Sequence, residues 1–322
     1  MLVQTKERTE ARDLTERVQG GDLHPWMERY LWVRTKGSQL QRFDLWKSQR
    51  WLGDRLSRFD YLIKHRQGGF STYFLGRSLA LACCIPLYTV NWVTISSDNG
   101  KMRLRFFETV HRFFENLPPE LGIKPKQKTQ DTIRIDGLDS EITISTERSF
   151  DLRSVTINYL GLTELAFYSP DGFRRVMTAA VEAVPTGEKH SYITAETTPK
   201  RFGSAAHKFW QECNRGIGRF KTHFVPWYWH HEYQLGPDDL ETRQPDRGSL
   251  QYTPVEESFV REKLLPLYDE KTCERFMRWR RFKMEEKGQT SGGGQNDFFS
   301  EYPEDPVTAW QVASDTIFDV ET

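Results

Sequence analysis

The chain has 322 residues, of which 37% are hydrophobic and 13% aromatic, and its 45 Lys and Arg residues balance its 45 Asp and Glu residues. This length allows one large α/β domain or two smaller ones with a sizeable core. A zero net charge excludes a global basic field, so nucleic acid could contact only a local patch. The 4 cysteines form no C-x-x-C pair, which argues against a zinc ribbon.

The N-terminal region carries many charges and no apolar signal segment. Residues 1–20 predict a helical or frayed extension. Aromatic and apolar residues recur at helical spacing across residues 24–58, which predicts helices there. The longest apolar run, residues 79–90, is too short to span a bilayer and contains Pro86. These features predict a cytoplasmic protein without a membrane segment.

A glycine-rich loop stands between a predicted strand, residues 61–63, and a helix predicted to begin near Tyr73. The loop sequence is Lys64-His65-Arg66-Gln67-Gly68-Gly69-Phe70-Ser71-Thr72. Glycines let backbone N–H groups approach a phosphate, the helix start adds partial positive charge, and a hydroxyl can bind Mg²⁺. However, Phe70 replaces the lysine that usually precedes the hydroxyl. Taken alone, the segment fits a phosphate-binding loop and an ordinary glycine-rich turn equally well.

Beyond the loop, the pattern alternates between helices and strands. It predicts a helix to residue 84, a strand over 90–96, an amphipathic helix over 102–116, and strands over 131–135 and 141–145. An apolar strand then ends just before Glu164, and a helix capped by Ser169 and a strand over 191–195 follow. A strand–helix–strand unit of this length implies a right-handed parallel crossover. Because the carboxyl ends of such strands meet at the ligand crevice, Glu164 and Thr197 should converge on the loop.

Several segments, in the same order, resemble the large terminase subunit of tailed bacteriophages. The pattern Lys-x-Arg-Gln-x-Gly-Phe-Ser-Thr resembles that family's deviant Walker A motif. Residues 155–167, 193–199 and 224–229 resemble its later motifs, and residues 298–306 resemble the segment between its ATPase and nuclease parts. The resemblance runs from roughly residue 40 to the end of the chain.

The resemblance implies an α/β fold of the P-loop NTPase class, RecA- or helicase-like, with a mostly parallel sheet flanked by helices. It divides the chain into an N-terminal charged, helical extension (1–40), an ATPase domain (41–236), and a linker with a helical tail (237–322) leading toward an absent nuclease domain. Asp315, Asp319 and Glu321 alone are not expected to form a two-metal site. No nuclease activity is therefore expected from this chain.

The resemblance also implies a site for ATP and Mg²⁺. Ser71, aligned with the hydroxyl of the GKS/T pattern, is expected to bind Mg²⁺, with Thr72 as the runner-up. Arg66 or Lys64 would replace the missing lysine charge, and Arg66 is favoured because the family carries an Arg at the front of the loop. Gln49 could contact the adenine edge or be a solvated helix residue. The full set of expected nucleotide-binding residues is Gln49, Gln67, Gly68, Gly69, Ser71, Thr72, Thr197 and Thr198.

Glu164 is expected to be the catalytic carboxylate that polarises the attacking water, since a Glu at the end of an apolar strand is a reasonable base. The alternative is a surface or helix-capping carboxylate. Thr163 departs from the usual pattern, because many P-loop enzymes have the Mg²⁺-ordering aspartate there. Glu196, Thr197 and Thr198 resemble a coupling motif that senses the γ-phosphate. A satisfied hydrogen-bond network would explain the same polar residues.

These features predict the ATPase motor of a phage or prophage large terminase subunit, which packages double-stranded viral DNA into a procapsid in the bacterial host cytoplasm. The implied partners are the portal protein, the small terminase subunit and further copies of the chain in a ring. A helicase-like DNA-dependent ATPase outside packaging is one alternative, although no second set of helicase motifs is visible. An inactive remnant that binds partners without turnover is another.

Overall fold

The computed structural model describes residues 2–129, 131–150, 156–239, 250–291 and 295–311. The chain forms two compact units, each assembled from separate stretches of sequence. The first unit comprises Met1–Leu62, Gly69–Thr197 and Ser204–His223. The second comprises Ile63–Gly68, Thr198–Gly203 and Phe224–Thr322. The domain boundaries at residues 40 and 236 stay predictions.

The N-terminal part of the first unit is helical except for one hairpin. Its elements are α1 (Leu2–Gly20), α2 (His24–Tyr30), β1 (Trp32–Arg34), β2 (Leu40–Arg42) and α3 (Lys47–Gly53). The hairpin corrects the prediction of helices throughout residues 24–58. A turn at Ser38, whose φ is 62°, reverses the chain, and β1 pairs with β2 antiparallel. The Arg42 guanidinium lies 4.3 Å from the Trp32 ring centroid across the pair, a cation–π contact.

A mixed sheet forms the centre of the fold. Its strands are β3 (Phe59–Lys64), β4 (Thr89–Thr94), β5 (Pro125–Lys128), β6 (Thr132–Ile135), β7 (Glu141–Thr146), β8 (Tyr159–Thr163), β9 (Tyr192–Thr197) and β10 (Lys221–Val225). Counted over the described residues, these 8 strands lie in the order β10-β3-β9-β8-β4-β7-β6-β5. Strands β9, β8, β4 and β7 pair in parallel, and β6 and β5 extend that run antiparallel. The predicted mostly parallel α/β sheet is thus confirmed.

Helices flank the sheet close to the predicted positions. They are α4 (Phe70–Cys84), α5 (Lys101–Glu115), α6 (Pro170–Ala183) and α7 (Ala205–Asn214). Helix α6 begins as predicted, since Pro170 is its first residue and the Ser169 hydroxyl accepts a hydrogen bond from the Gly172 N–H at 3.1 Å. On α5, Phe106, Val110 and Phe113 are buried, which fits its amphipathic pattern.

The second unit has a core of its own, which the prediction of a linker and tail did not include. Its C-terminal elements are α8 (Pro254–Phe259), a π-helical turn (Val260–Leu264), α9 (Glu270–Ser291), α10 (Gln295–Glu301) and α11 (Thr308–Gln311). Trp227, Phe276, Trp279 and Phe298 are among the buried side chains at its centre. Part of the predicted linker, residues 240–249, lies outside the described residues. In the described part of the chain, no helix is long and apolar enough to cross a membrane.

A glycine allows two central strands of the first unit to pack tightly. Gly161 on β8 pairs with Trp92 on β4. The Trp92 side chain is fully buried, and its Nε1 donates a hydrogen bond to the Ser78 hydroxyl at 3.1 Å. A Cβ atom on Gly161 would lie 2.3 Å from the Trp92 ring, closer than real carbon atoms approach. The indole therefore occupies the space that a side chain at position 161 would need.

We expect Gly161→Ala to lower the free energy of unfolding of the first unit by about 1–3 kcal/mol, because the methyl group must displace the Trp92 ring. Gly187→Ala is the matched control, since a Cβ atom there meets nothing within 4 Å. Denaturant titration followed by tryptophan fluorescence would measure both. Equal midpoints for the two variants would contradict the close packing of Gly161 on Trp92.

Candidate nucleotide site

The glycine-rich loop leads directly into α4, which begins at Phe70 rather than near Tyr73 as predicted. Gly69 precedes the helix in the left-handed conformation, with φ 68° and ψ 7°. Such a conformation favours glycine, because a Cβ atom is strained there. Phe70 is 1% exposed and belongs to the core. The residue that replaces the usual lysine is therefore a packing residue, and the loop must obtain positive charge from elsewhere.

The first helical turn of α4 meets the carboxyl edge of the sheet. The Ser71 hydroxyl donates a hydrogen bond to Glu196 Oε1 at 2.8 Å, and the Thr163 hydroxyl donates to the same oxygen. Thr163 on β8 and Glu196 on β9 are paired residues of the parallel ladder. Glu196 is 0% exposed. The predicted Mg²⁺ ligand Ser71 thus lies beside the buried carboxylate of Glu196, which was predicted only as part of the coupling motif and not as a partner of Ser71.

Glu164 and Thr197 lie together at the ends of β8 and β9, and their predicted approach to the loop stays a prediction. The Thr197 hydroxyl donates to Glu164 Oε2 over 3.4 Å, a long contact, and accepts a hydrogen bond from the Ala166 N–H at 3.1 Å. Glu164 is in the left-handed conformation, with φ 52° and ψ 47°. For a residue with a side chain this conformation costs roughly 1–2 kcal/mol. The structure therefore holds the Glu164 backbone in a strained turn directly after β8.

A buried tyrosine, Tyr168, lies near three glutamates at this edge of the sheet. Tyr168 donates its hydroxyl proton to the Val93 carbonyl oxygen at 2.7 Å. Burial raises the pKa of Tyr168 well above its ordinary value, and the nearby carboxylates of Glu147, Glu196 and Glu164 raise it further. Glu147 follows β7, is 2% exposed and accepts a hydrogen bond from the Ser96 hydroxyl at 2.6 Å. Three glutamates therefore lie close enough to Tyr168 to act on its hydroxyl.

Gln49 connects α3 to the loop. Its Oε1 accepts a hydrogen bond from the Trp46 N–H at 3.0 Å, and its Nε2 donates to the Gly69 carbonyl oxygen at 3.1 Å. The residue is 2% exposed, so it is not the solvated helix glutamine of the alternative interpretation. The amide positions the loop in this structure. Its predicted contact with adenine stays a prediction.

The front of the loop belongs to the second unit, where Arg66 is attached at three points. Its N–H donates to the Glu301 carbonyl oxygen at 2.7 Å, its carbonyl oxygen accepts from the Tyr233 hydroxyl at 2.6 Å, and its guanidinium pairs with the Glu301 carboxylate. Lys287 Nζ lies 2.6 Å from the other Glu301 oxygen. The Arg66 side chain is 52% exposed, whereas Lys64 is 5% exposed. Glu301 and Tyr233 were not predicted as partners of the loop, because they lie far from it in the chain.

The other predicted residues have these positions. Gln67 is exposed, with a left-handed φ of 56°, and Gly68 is buried. Thr72 is in the first turn of α4 and is partly buried. Thr198 is buried directly after β9. Asp315, Asp319 and Glu321 lie outside the described residues.

The solved structures that match this chain include phage large terminases. The HK97 bacteriophage large terminase has a TM-score of 0.51 and 13% sequence identity, and the match covers 83% of this chain and 52% of that one. The Thermus phage P74-26 large terminase ATPase domain has a TM-score of 0.41 and 14% identity, covering 58% and 82% of the two chains. A large terminase from a thermophilic bacteriophage in complex with ADP has a TM-score of 0.37 and 10% identity, covering 68% and 47%.

The HK97 likeness shows that this chain has the fold of that large terminase over most of its own length. The predicted fold class is thereby confirmed. The chain spans about half the length of the HK97 protein. No family model matches the sequence, and no curated protein matches it.

We expect Gly69→Ala to destabilise the first unit more than Gly100→Ala. Both glycines precede a helix with positive φ, 68° and 77°, so alanine at either position is strained by roughly 1–2 kcal/mol. Only at Gly69 would the new Cβ atom lie 2.9 Å from Gln49 Nε2, which breaks a hydrogen bond worth about 1 kcal/mol. Denaturant midpoints measure the difference.

The same comparison in a Gln49→Ala background provides the control, because the hydrogen bond is already absent there. The extra loss at Gly69 should then shrink to the part caused by the Trp46 ring, which lies 3.2 Å from the new Cβ atom. An unchanged difference in that background would show that Gln49 does not hold the loop.

Proposed function

We propose that this chain is the ATP-hydrolysing motor part of a phage or prophage large terminase subunit. The observation that carries the proposal is the meeting of Ser71, on the first turn after a glycine-rich loop, with Glu196 and Thr163 at the ends of two parallel strands. Glu164 stands next to Thr163 at the same edge. A loop for phosphate, oxygen donors for a metal and a carboxylate for water are the parts that phosphoryl transfer needs.

The residues present suit ATP with Mg²⁺. Backbone N–H groups of residues 68–72 would hold the β-phosphate, and the Ser71 hydroxyl, or Thr72 as the runner-up, would hold the ion. Mg²⁺ prefers oxygen ligands and usually binds through few protein groups together with substrate phosphates, so a hydroxyl 2.8 Å from a buried carboxylate oxygen is a suitable donor set. When bound, the ion neutralises charge on the β- and γ-phosphates.

Glu164 would orient the attacking water and accept its proton. The strained turn after β8 holds its backbone, and the Thr197 hydroxyl lies 3.4 Å from its carboxylate. A movement of the Thr197 side chain would therefore change the position of the Glu164 carboxylate. This arrangement supports the coupling role proposed for Thr197 and Thr198.

Arg66 would supply the positive charge that Phe70 cannot. Its ion pair with Glu301 is about half exposed on the arginine side, and such pairs contribute roughly 0–1 kcal/mol. A triphosphate, with more negative charge than one carboxylate, could replace Glu301 as its partner. Lys64 is too deeply buried to do this as easily.

The packaging role rests on the order of the motifs and on the fold shared with the HK97 large terminase. Under this proposal the motor acts on double-stranded viral DNA in the host cytoplasm, docked on the portal protein as a ring of copies and assisted by the small terminase subunit. Because the net charge is zero, DNA would contact local basic patches, and its binding should weaken steeply with salt.

The Glu164→Gln variant should lose about 10²–10⁴-fold in ATP turnover, because it loses the carboxylate that accepts the proton. Its affinity for ATP should stay close to that of the unmodified chain, since Glu164 need not hold phosphate. Turnover with Mg²⁺ and nucleotide affinity are measured separately, with Glu182→Gln on the exposed face of α6 as control. Turnover within about tenfold of the unmodified chain would refute the assignment of Glu164. Binding without turnover in the unmodified chain itself would favour the inactive remnant.

Arg66→Ala should weaken nucleotide affinity and turnover more than Lys64→Ala, because the planar guanidinium suits phosphate oxygens and is the more exposed group. Arg66→Lys should restore the affinity only partly. Titration with a fluorescent ADP or ATP analogue measures which of the two alanine variants loses more affinity. If Lys64→Ala is the more damaging change in both assays while the fold is retained, the two roles are reversed.

A further inference from the structure

Thr163 is the weakest point of the proposed ATP site. P-loop enzymes commonly have an aspartate that orders Mg²⁺ at the end of this strand, and a threonine has no carboxylate to offer. In this chain the neighbouring strand β9 has a carboxylate, Glu196, directly beside Thr163. Its Oε1 accepts hydrogen bonds from both Thr163 and Ser71.

We propose that Glu196 is the carboxylate that orders Mg²⁺, and that the metal-ordering group has moved from the end of β8 to the end of β9. This inference rests on the proposed function, because it concerns the metal that would accompany ATP. It gives Thr163 a different task, which is to hold the Glu196 carboxylate by a hydrogen bond.

The geometry of the sheet permits this exchange of positions. Thr163 and Glu196 are paired across parallel strands, and such strands lie about 4.7–4.9 Å apart. A glutamate side chain is one methylene longer than an aspartate side chain. Glu196 can therefore place its carboxylate in front of Thr163 and still contact Ser71, as the 2.8 Å hydrogen bond demonstrates.

Burial of Glu196 supports a role with a cation. The residue is 0% exposed, and an ionised carboxylate in such a place is unfavourable unless opposite charge or strong hydrogen bonds compensate it. The Ser71 and Thr163 hydroxyls donate to Oε1 of this carboxylate. A divalent ion beside Ser71 would supply the opposite charge, directly or through one of the waters that Mg²⁺ tends to keep.

The test is the Mg²⁺ dependence of nucleotide binding by the full chain. A fluorescent ADP analogue is titrated in Mg²⁺ and in EDTA, and the ratio of the two dissociation constants gives the enhancement by the metal. Glu196→Gln keeps the size of the side chain and an oxygen that accepts hydrogen bonds. It should leave the affinity in EDTA nearly unchanged but reduce the Mg²⁺ enhancement by about 10–100-fold, the usual effect of disturbing groups around a metal.

Two further variants separate metal ordering from a structural role. Glu147→Gln removes another buried carboxylate that follows a neighbouring strand but is bonded to Ser96, and it should keep the Mg²⁺ enhancement. Thr163→Asp, added to Glu196→Gln, returns a carboxylate to the end of β8 and should restore the enhancement. A purely structural role for Glu196 would lower the affinities in Mg²⁺ and in EDTA equally and would not be rescued, which would overturn the proposal.

A conservative variant covers the case in which Glu196→Gln does not fold. Glu196→Asp keeps the charge but withdraws the carboxylate by one methylene, so the Mg²⁺ enhancement should fall more than the Mn²⁺ enhancement, because Mn²⁺ is the larger ion. An unchanged Mg²⁺ enhancement in this variant would refute the role of Glu196 while leaving the ATP site intact. If the unmodified chain binds no nucleotide under either condition, the proposed function itself fails.

Discussion

The parallel pairing of β8 with β9, in the register that sets Thr163 beside Glu196, is the constraint on which the rest of the site depends. It brings two polar strand ends together at one edge and presents them to the first turn of α4. A shift of one residue would turn every side chain of β9 to the opposite face and remove Glu196 from Ser71. Both strands are buried on both faces, so the register decides which buried residues become neighbours, and here it sets Thr163 beside Glu196.

The fold class and the strand ends could be predicted from the sequence because both depend on local patterns. The apolar run before Glu164 and the Ser169-Pro170 start of α6 indicate their elements without any knowledge of neighbours. One topological rule was enough to expect Glu164 and Thr197 at the same edge of the sheet, where they contact each other. These predictions needed only periodicity, capping and the handedness of crossovers.

Other features depend on contacts between residues far apart in the chain, and no local pattern contains them. Glu301 is near Arg66 only because α10 packs within the second unit, and Phe70 is a core residue only because of what surrounds α4. The hairpin of β1 and β2 was missed because its aromatic residues also fit helical spacing. Glu196 was predicted only as part of a coupling motif, although a glutamate inside an apolar strand needs a partner. Which partner it has could be learned only from the fold.

The contacts of Arg66 with Glu301 and Tyr233 hold its backbone separately from its side chain. Two of its three contacts use backbone atoms, the Arg66 N–H to Glu301 and the Tyr233 hydroxyl to the Arg66 carbonyl, and these do not depend on where the guanidinium points. The side chain can therefore rotate to a new anion while the main chain of the loop stays clamped. Lys287 remains beside Glu301 and would keep that carboxylate neutralised after the arginine departs. If Arg66 exchanges Glu301 for a phosphate, as proposed, the two backbone contacts would hold the main chain at residue 66 in place.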